Sequence, residues 1–179
     1  MIVDAYQTLE DRDNIDVIEL DGPFKCTHAN SWLGIGYYLW DTNFEWAITW
    51  GEVAHRKKGN EYVIAKCKVN LENNCFDLVG NVKHQQDLIE VIKVMKESGK
   101  IKNNNEETIP NLITYLKSKG IFKYKSIRAA DMHDKAVSLR FLIYRKEFMI
   151  INQRVQICVI EKKDVLLRPF LVVFPEKYL

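Results

Sequence analysis

Hydrophobic and polar positions along the chain change period twice, from short extended runs to helical spacing and back. In the first third, Val17-Ile18-Glu19-Leu20 is a strand candidate, and Asp21-Gly22-Pro23 supplies turn chemistry to end it. Asn43 suits the N-cap of a helix running to about Lys57, with Phe44, Ala47 and Ile48 on one side. Tyr62 to Asn70 is a β-rich run in which Val63, Ala65, Cys67 and Val69 share a face. The middle turns helical. Leu88, Ile92 and Met95 recur at helical spacing between Asp87 and Glu97, with Gly99 as a stop. Pro110 opens a second helix that carries Leu112, Ile113 and Leu116 inward and ends before Gly120. Branched residues return at Phe148–Ile151 and Val155–Ile160, and Pro169 and Pro175 bracket a final run, Phe170–Phe174, expected at a sheet edge. Strands, then helices, then strands predict an α+β domain.

The polar stretch from Lys100 to Thr108 is too short to separate domains, so residues 1–179 are expected to form one domain. A hydrophobic fraction of 47% with 20 aromatic residues (8 Phe, 8 Tyr, 4 Trp) is enough for a core without disulfide or metal support. No apolar run is long enough to span a bilayer, and Met1-Ile2-Val3-Asp4 lacks the basic flank of a secretory signal. Cys26, Cys67, Cys75 and Cys158 follow no framework spacing, which favours free thiols and a cytoplasmic location. Cys26-x-His28 is the only close Cys/His pair, so no metal site is expected.

The net charge of +2 conceals an asymmetry. Residues 1–30 carry seven acidic groups against Arg12 and Lys25, whereas Lys117–Lys146 carries nine basic groups against Asp131 and Asp134. Each run alone reads as a solvated face; the basic one also suits an anion such as a pyrophosphate or a nucleic acid backbone.

The least ordinary segment is Ser31-Trp32-Leu33-Gly34-Ile35-Gly36-Tyr37-Tyr38-Leu39-Trp40-Asp41. Two glycines two apart permit a tight turn and close backbone approach, and aromatic residues follow at strand spacing. The third glycine and following helix of a dinucleotide fingerprint are missing. With Ala47 and Trp50-Gly51, the segment resembles the nicotinamide-side motif of poly(ADP-ribose) polymerase-like ADP-ribosyltransferases, in particular a bacterial stand-alone branch with a "WLGxGxYFW" signature. Ala5-Tyr6-Gln7-Thr8 is similar to the family's first strand, "YHGT". Tyr124–Arg128 resembles a "DSVR" stretch, and Val155-Gln156-Ile157-Cys158-Val159 an "IQICV" strand.

The resemblance implies a split β-sheet core with helices between two groups of strands. It also implies cleavage of the nicotinamide–ribose bond of NAD, the substrate, with no metal, and transfer of ADP-ribose to a protein or nucleic acid acceptor. The reacting ribose gains positive character, so a carboxylate near it is required. Carried over by position, Tyr38 stacks on nicotinamide with Tyr37 beside it, Gly34 and Gly36 form the turn, and Glu147 resembles the glutamate of the "NEYIVY" strand. The first-strand His is absent; Tyr6, Gln7 and Thr8 stand there, and Tyr6 or Gln7 can hydrogen-bond a ribose hydroxyl. Asp131 and Asp134, which flank His133, are alternative carboxylates, with Gln153 and Gln156 weaker candidates and His28 a substitute ribose ligand. A toxin or defence effector fits the small size, with an antitoxin or inhibitor as a partner and no membrane. The alternatives are a catalytically degenerate binding module and an NAD glycohydrolase.

Overall fold

The computed structural model describes residues 1–179 apart from 103–105, 134 and 135. In chain order the elements are β1 (Ile2–Glu10), α1 (Ile15–Asp21), β2 (Tyr37–Asp41), α2 (Phe44–Ala54), β3 (Tyr62–Asn70), β4 (Cys75–Asp77), α3 (Val82–Glu97) and α4 (Ile109–Ser118). Then follow β5 (Ser126–Asp131), β6 (Val137–Arg140), β7 (Phe148–Ile151), β8 (Arg154–Val159) and β9 (Leu166–Phe174). The class is α+β, with a mostly antiparallel seven-stranded sheet in the order β4-β5-β8-β2-β1-β3-β9 and a separate β6-β7 hairpin.

The sheet is nearly divided. Strands β1 and β2 pair only at Ala5–Asp41 and Tyr6–Trp40, whereas β1 and β3 pair along their whole length. Beyond Tyr6 the Gln7 side chain fills the gap. Its Nε2 donates to the Phe24 carbonyl at 2.8 Å and the Tyr38 carbonyl at 3.3 Å, and its Oε1 accepts from the Phe24 N–H at 2.8 Å. On one face, Ala5, Leu39, Val63, Ile157, Val159 and Phe170 form the main core. On the other, α4 packs Ile113 and Leu116 against Phe76, Ile127 and Cys158. Arg128 braces β2, β4 and β5: its Nε donates to Asp41 Oδ2 at 2.6 Å and its Nη1 to Asp77 Oδ1 at 3.3 Å.

Local sequence explains most of the helices. The Asn43 Oδ1 accepts from the Glu45 and Trp46 N–H groups at the start of α2. Thr108 caps α4, with Pro110 in its first turn. The helix expected from Asp87 begins at Val82, because Asn81 caps there by accepting from the His84 N–H at 3.2 Å.

Val17–Leu20 is not the expected strand but part of α1, and the cause is tertiary. The Arg168 guanidinium donates to the Glu19 and Leu20 carbonyls, both at 2.6 Å, at the helix end where carbonyls lack intrahelical partners. The Glu19 carboxylate in turn accepts from the Val172 N–H at 2.9 Å, occupying an edge donor of β9. Strand β9 is the edge strand expected from its prolines, begins earlier than expected at Leu166, and carries Pro169 within a register shift against Lys66 and Lys68.

Candidate functional site

A cleft of about 810 Å³ opens where β1 and β2 part. Register and two-residue alternation put Thr8, Tyr38, Trp40, Gln156, Arg154 and Asp131 on one face: Trp40 lies opposite Gln156, Gln156 opposite Ala129, and Arg154 opposite Asp131. All six line the cleft. The end of α2 and the turn after it add Trp50, His55 and Lys58, and the segment from Phe24 to Trp32 forms the facing wall.

Most of these groups are held by the protein itself. The Trp32 indole donates to Gln156 Oε1 at 2.7 Å, leaving the Gln156 amide nitrogen without a hydrogen-bond acceptor among the described residues. The Thr8 hydroxyl donates to the Ala47 carbonyl at 2.8 Å. Asp131 is the only carboxylate in the lining among the described residues, and the Arg154 guanidinium grips both its oxygens, Nε reaching Oδ1 at 2.8 Å. Lys25, Lys58 and Arg154 make the lining net positive. Burial pushes the His55 imidazole below its ordinary pKa, favouring its neutral form. Three tryptophans and a tyrosine give flat apolar walls, with the Trp40 and Trp50 rings 6.2 Å apart.

Tyr38 plays two parts. Its ring lines the cleft, while its hydroxyl accepts from the Leu33 N–H and donates to the Gly34 carbonyl, both at 2.8 Å. Burial raises the Tyr38 phenol far above its ordinary pKa, so it stays a donor. The two glycines of the turn are required for different reasons. Gly34 has φ +90°, which disfavours any side chain although the surrounding space is open. At Gly36 a Cβ would lie 2.4 Å from Cys158 Sγ and 2.7 Å from the Val159 carbonyl oxygen. Neither glycine lines the cleft; Gly34 borders a smaller pocket of about 330 Å³ with Ile113 and Lys117.

Several expected site residues lie elsewhere. Tyr37 alternates to the opposite face, where its ring packs on the main core 4.5 Å below Lys162 Nζ. Tyr6 shares the face of Thr8, but its ring meets Phe44 edge-on at 5.4 Å and lies outside the lining. Gln7 reaches the cleft, yet both ends of its amide are committed to Phe24, which makes it a brace across the split.

The structure places Glu147 away from the cleft. It sits in the turn before β7, in a hairpin detached from the main sheet, with its side chain 64% exposed and 4.0 Å from Arg145. It takes no part in the cleft, because β7 pairs only with β6 and never joins β2 and β8. Of the alternatives, Asp131, Gln156 and His28 line the cleft, Asp134 falls outside the described residues, and the Gln153 carbonyl accepts from the Trp46 indole at 3.2 Å. His133 packs its ring edge-on against Trp46 at 5.0 Å.

Sequence reasoning named Trp50 only as part of the resemblance and did not anticipate the Trp32–Gln156 contact or the Asp131–Arg154 pair. The available signal was the alternation of β8, which puts Arg154, Gln156 and Cys158 on one face. All four cysteines are free, and no cluster of three or more His, Cys, Asp or Glu suited to a metal occurs among the described residues. No described helix is long and apolar enough to cross a membrane. Comparisons with family models, with curated proteins and with solved structures find no match.

Proposed function

We propose that this chain is an NAD-dependent ADP-ribosyltransferase with a split-sheet core of the poly(ADP-ribose) polymerase-like type. The observation that carries the reading is the convergence of Thr8, Tyr38 and Gln156, from three different strands, on one aromatic and net-positive cleft at the division of the sheet. A volume of about 810 Å³ falls within the roughly 300–1,000 Å³ of small-molecule sites. The chemistry of the lining suits a dinucleotide: rings for its two flat bases, and Lys25, Lys58 and Arg154 for its pyrophosphate.

In the reaction the bond between ribose C1′ and the nicotinamide nitrogen breaks, and its electron pair leaves with neutral nicotinamide. The acceptor then bonds to C1′ and gives up its proton to solvent. Tyr38 stacks on the nicotinamide, and the unused amide N–H of Gln156 donates to a ribose hydroxyl. Asp131, rather than Glu147, supplies the negative field for the developing positive charge. A binding module without turnover is the second reading, favoured by the engagement of both Asp131 oxygens with Arg154.

Release of nicotinamide from labelled NAD separates the two. Wild type is expected to release it, and Asp131→Asn to lose about 100- to 1,000-fold in rate while NAD still raises its melting temperature. Thermal stabilisation by NAD with no release from wild type would establish the binding module instead. Neither stabilisation nor release would overturn both.

A further inference from the structure

The β6–β7 hairpin stands apart from everything the cleft explains. Its segment, Val137–Ile151, displays an unusual amount of apolar surface: Tyr144 is 97% exposed, Ile143 83%, Phe141 64% and Phe148 54%. Such a patch on a chain with well-filled cores marks an interaction site. We propose that the hairpin docks single-stranded nucleic acid, presenting it as the acceptor to the cleft; this rests on the transferase reading above.

Three observations point to that partner. First, rings and cations interleave: Arg140 precedes Phe141, Arg145 follows Tyr144, and Lys146 lies two residues before Phe148. Unstacked bases offer flat faces to the rings, and the phosphates between them meet the neighbouring cations. A duplex hides its base faces, so the surface favours single strands. Second, Glu147 is the only acid among the described residues of the segment, and the cleft it adjoins is net positive, so a polyanion is complemented along the whole path. Third, the hairpin is rooted at the cleft. It leaves β5 after Asp131 and returns into β8 at Arg154, both lining residues. The Trp46 indole donates to the Gln153 carbonyl at 3.2 Å and Asn43 Nδ2 to Asn152 Oδ1 at 3.3 Å, fixing its base against α2. A strand lying on the hairpin thus runs toward Asp131 and the reacting ribose.

The test is fluorescence anisotropy of labelled single-stranded RNA and DNA oligonucleotides of about 12 nucleotides with the whole chain. Tyr144→Ala and Phe141→Ala are each expected to weaken binding roughly 10-fold or more. Three cations on phosphates predict that affinity falls about 20-fold between about 50 and about 200 mM salt, and Arg145→Ala should flatten that slope. The same variants should release nicotinamide from NAD at the wild-type rate and melt with wild type, because these side chains are exposed and outside the cleft.

Unchanged oligonucleotide affinity in the hairpin variants, or no binding by wild type at low salt, overturns the proposal. So does a wild-type dimer that Tyr144→Ala converts to monomer without changing oligonucleotide affinity, which would assign the hairpin to a second copy. Hairpin-dependent binding without nicotinamide release would sustain the docking site and sink the transferase reading; release without binding would do the reverse.

Discussion

Replacing Tyr38 by Phe removes one oxygen atom from the centre of the glycine turn and leaves the ring in the cleft wall. That oxygen accepts from the Leu33 N–H and donates to the Gly34 carbonyl, both at 2.8 Å. Leu33 is only 2% exposed, so water cannot replace the lost acceptor, and a buried donor left unpaired costs about 1–3 kcal/mol. The Gly34 carbonyl fares better, since the Cys158 thiol already approaches it at 3.9 Å and Gly34 is partly exposed. Its loss is set at about 0.5–1 kcal/mol, the net value of an ordinary hydrogen bond. Tyr38→Phe should therefore destabilise the fold by about 1.5–4 kcal/mol. Urea unfolding at neutral pH measures this as a lower midpoint with an unchanged slope, since the surface exposed on unfolding hardly changes. Because the ring remains, NAD should still raise the melting temperature of the variant. A midpoint within about 0.5 kcal/mol of wild type would refute the claim that this hydroxyl clamps the turn.

Gly36→Ala should destabilise by about 1–3 kcal/mol, because the added carbon meets the Val159 carbonyl as well as Cys158 Sγ. Combining it with Cys158→Ala should recover only part of that, and full recovery in thermal melts would contradict the backbone clash. The buried thiols predict alkaline weakening. Burial pushes Cys75 from 9.0 up to about 11, and Cys67 and Cys158 up to about 12. The unfolded chain ionises first, so this stability is fully present below about pH 9 and is lost as pH rises through the folded values. Urea midpoints should fall between about pH 8 and about pH 10.5, and a flat profile would count against it.

Elements with their own local signals were legible before any tertiary contact was known. Asn43 ahead of α2, Pro110 at the start of α4 and the alternation of β3 each act within a few residues, as capping, backbone restriction and pleat do. The turn at Gly34 and Gly36 and the aromatic strand after it were legible for the same reason. The role of Glu147 was not. A short branched run reads alike in a central strand or a detached hairpin, and only pairing with β6 rather than β2 or β8 set it outside the cleft.

Val17–Leu20 makes the contrast sharpest, since its pattern allows a strand, and Arg168, some 150 residues away, completes the end of a helix there. The assembly of the candidate site belongs to this second kind of information. Thr8, Tyr38, Asp131 and Gln156 stand far apart in the chain, and no local pattern brings them together. They face one another because β1, β2, β8 and β5 adjoin in the sheet and Gln7 fills the gap where β1 and β2 part. Period and capping are short-range and fix which segments can be strands or helices. Strand order and register depend on burying one face of every strand together, so they emerge only when the whole core closes.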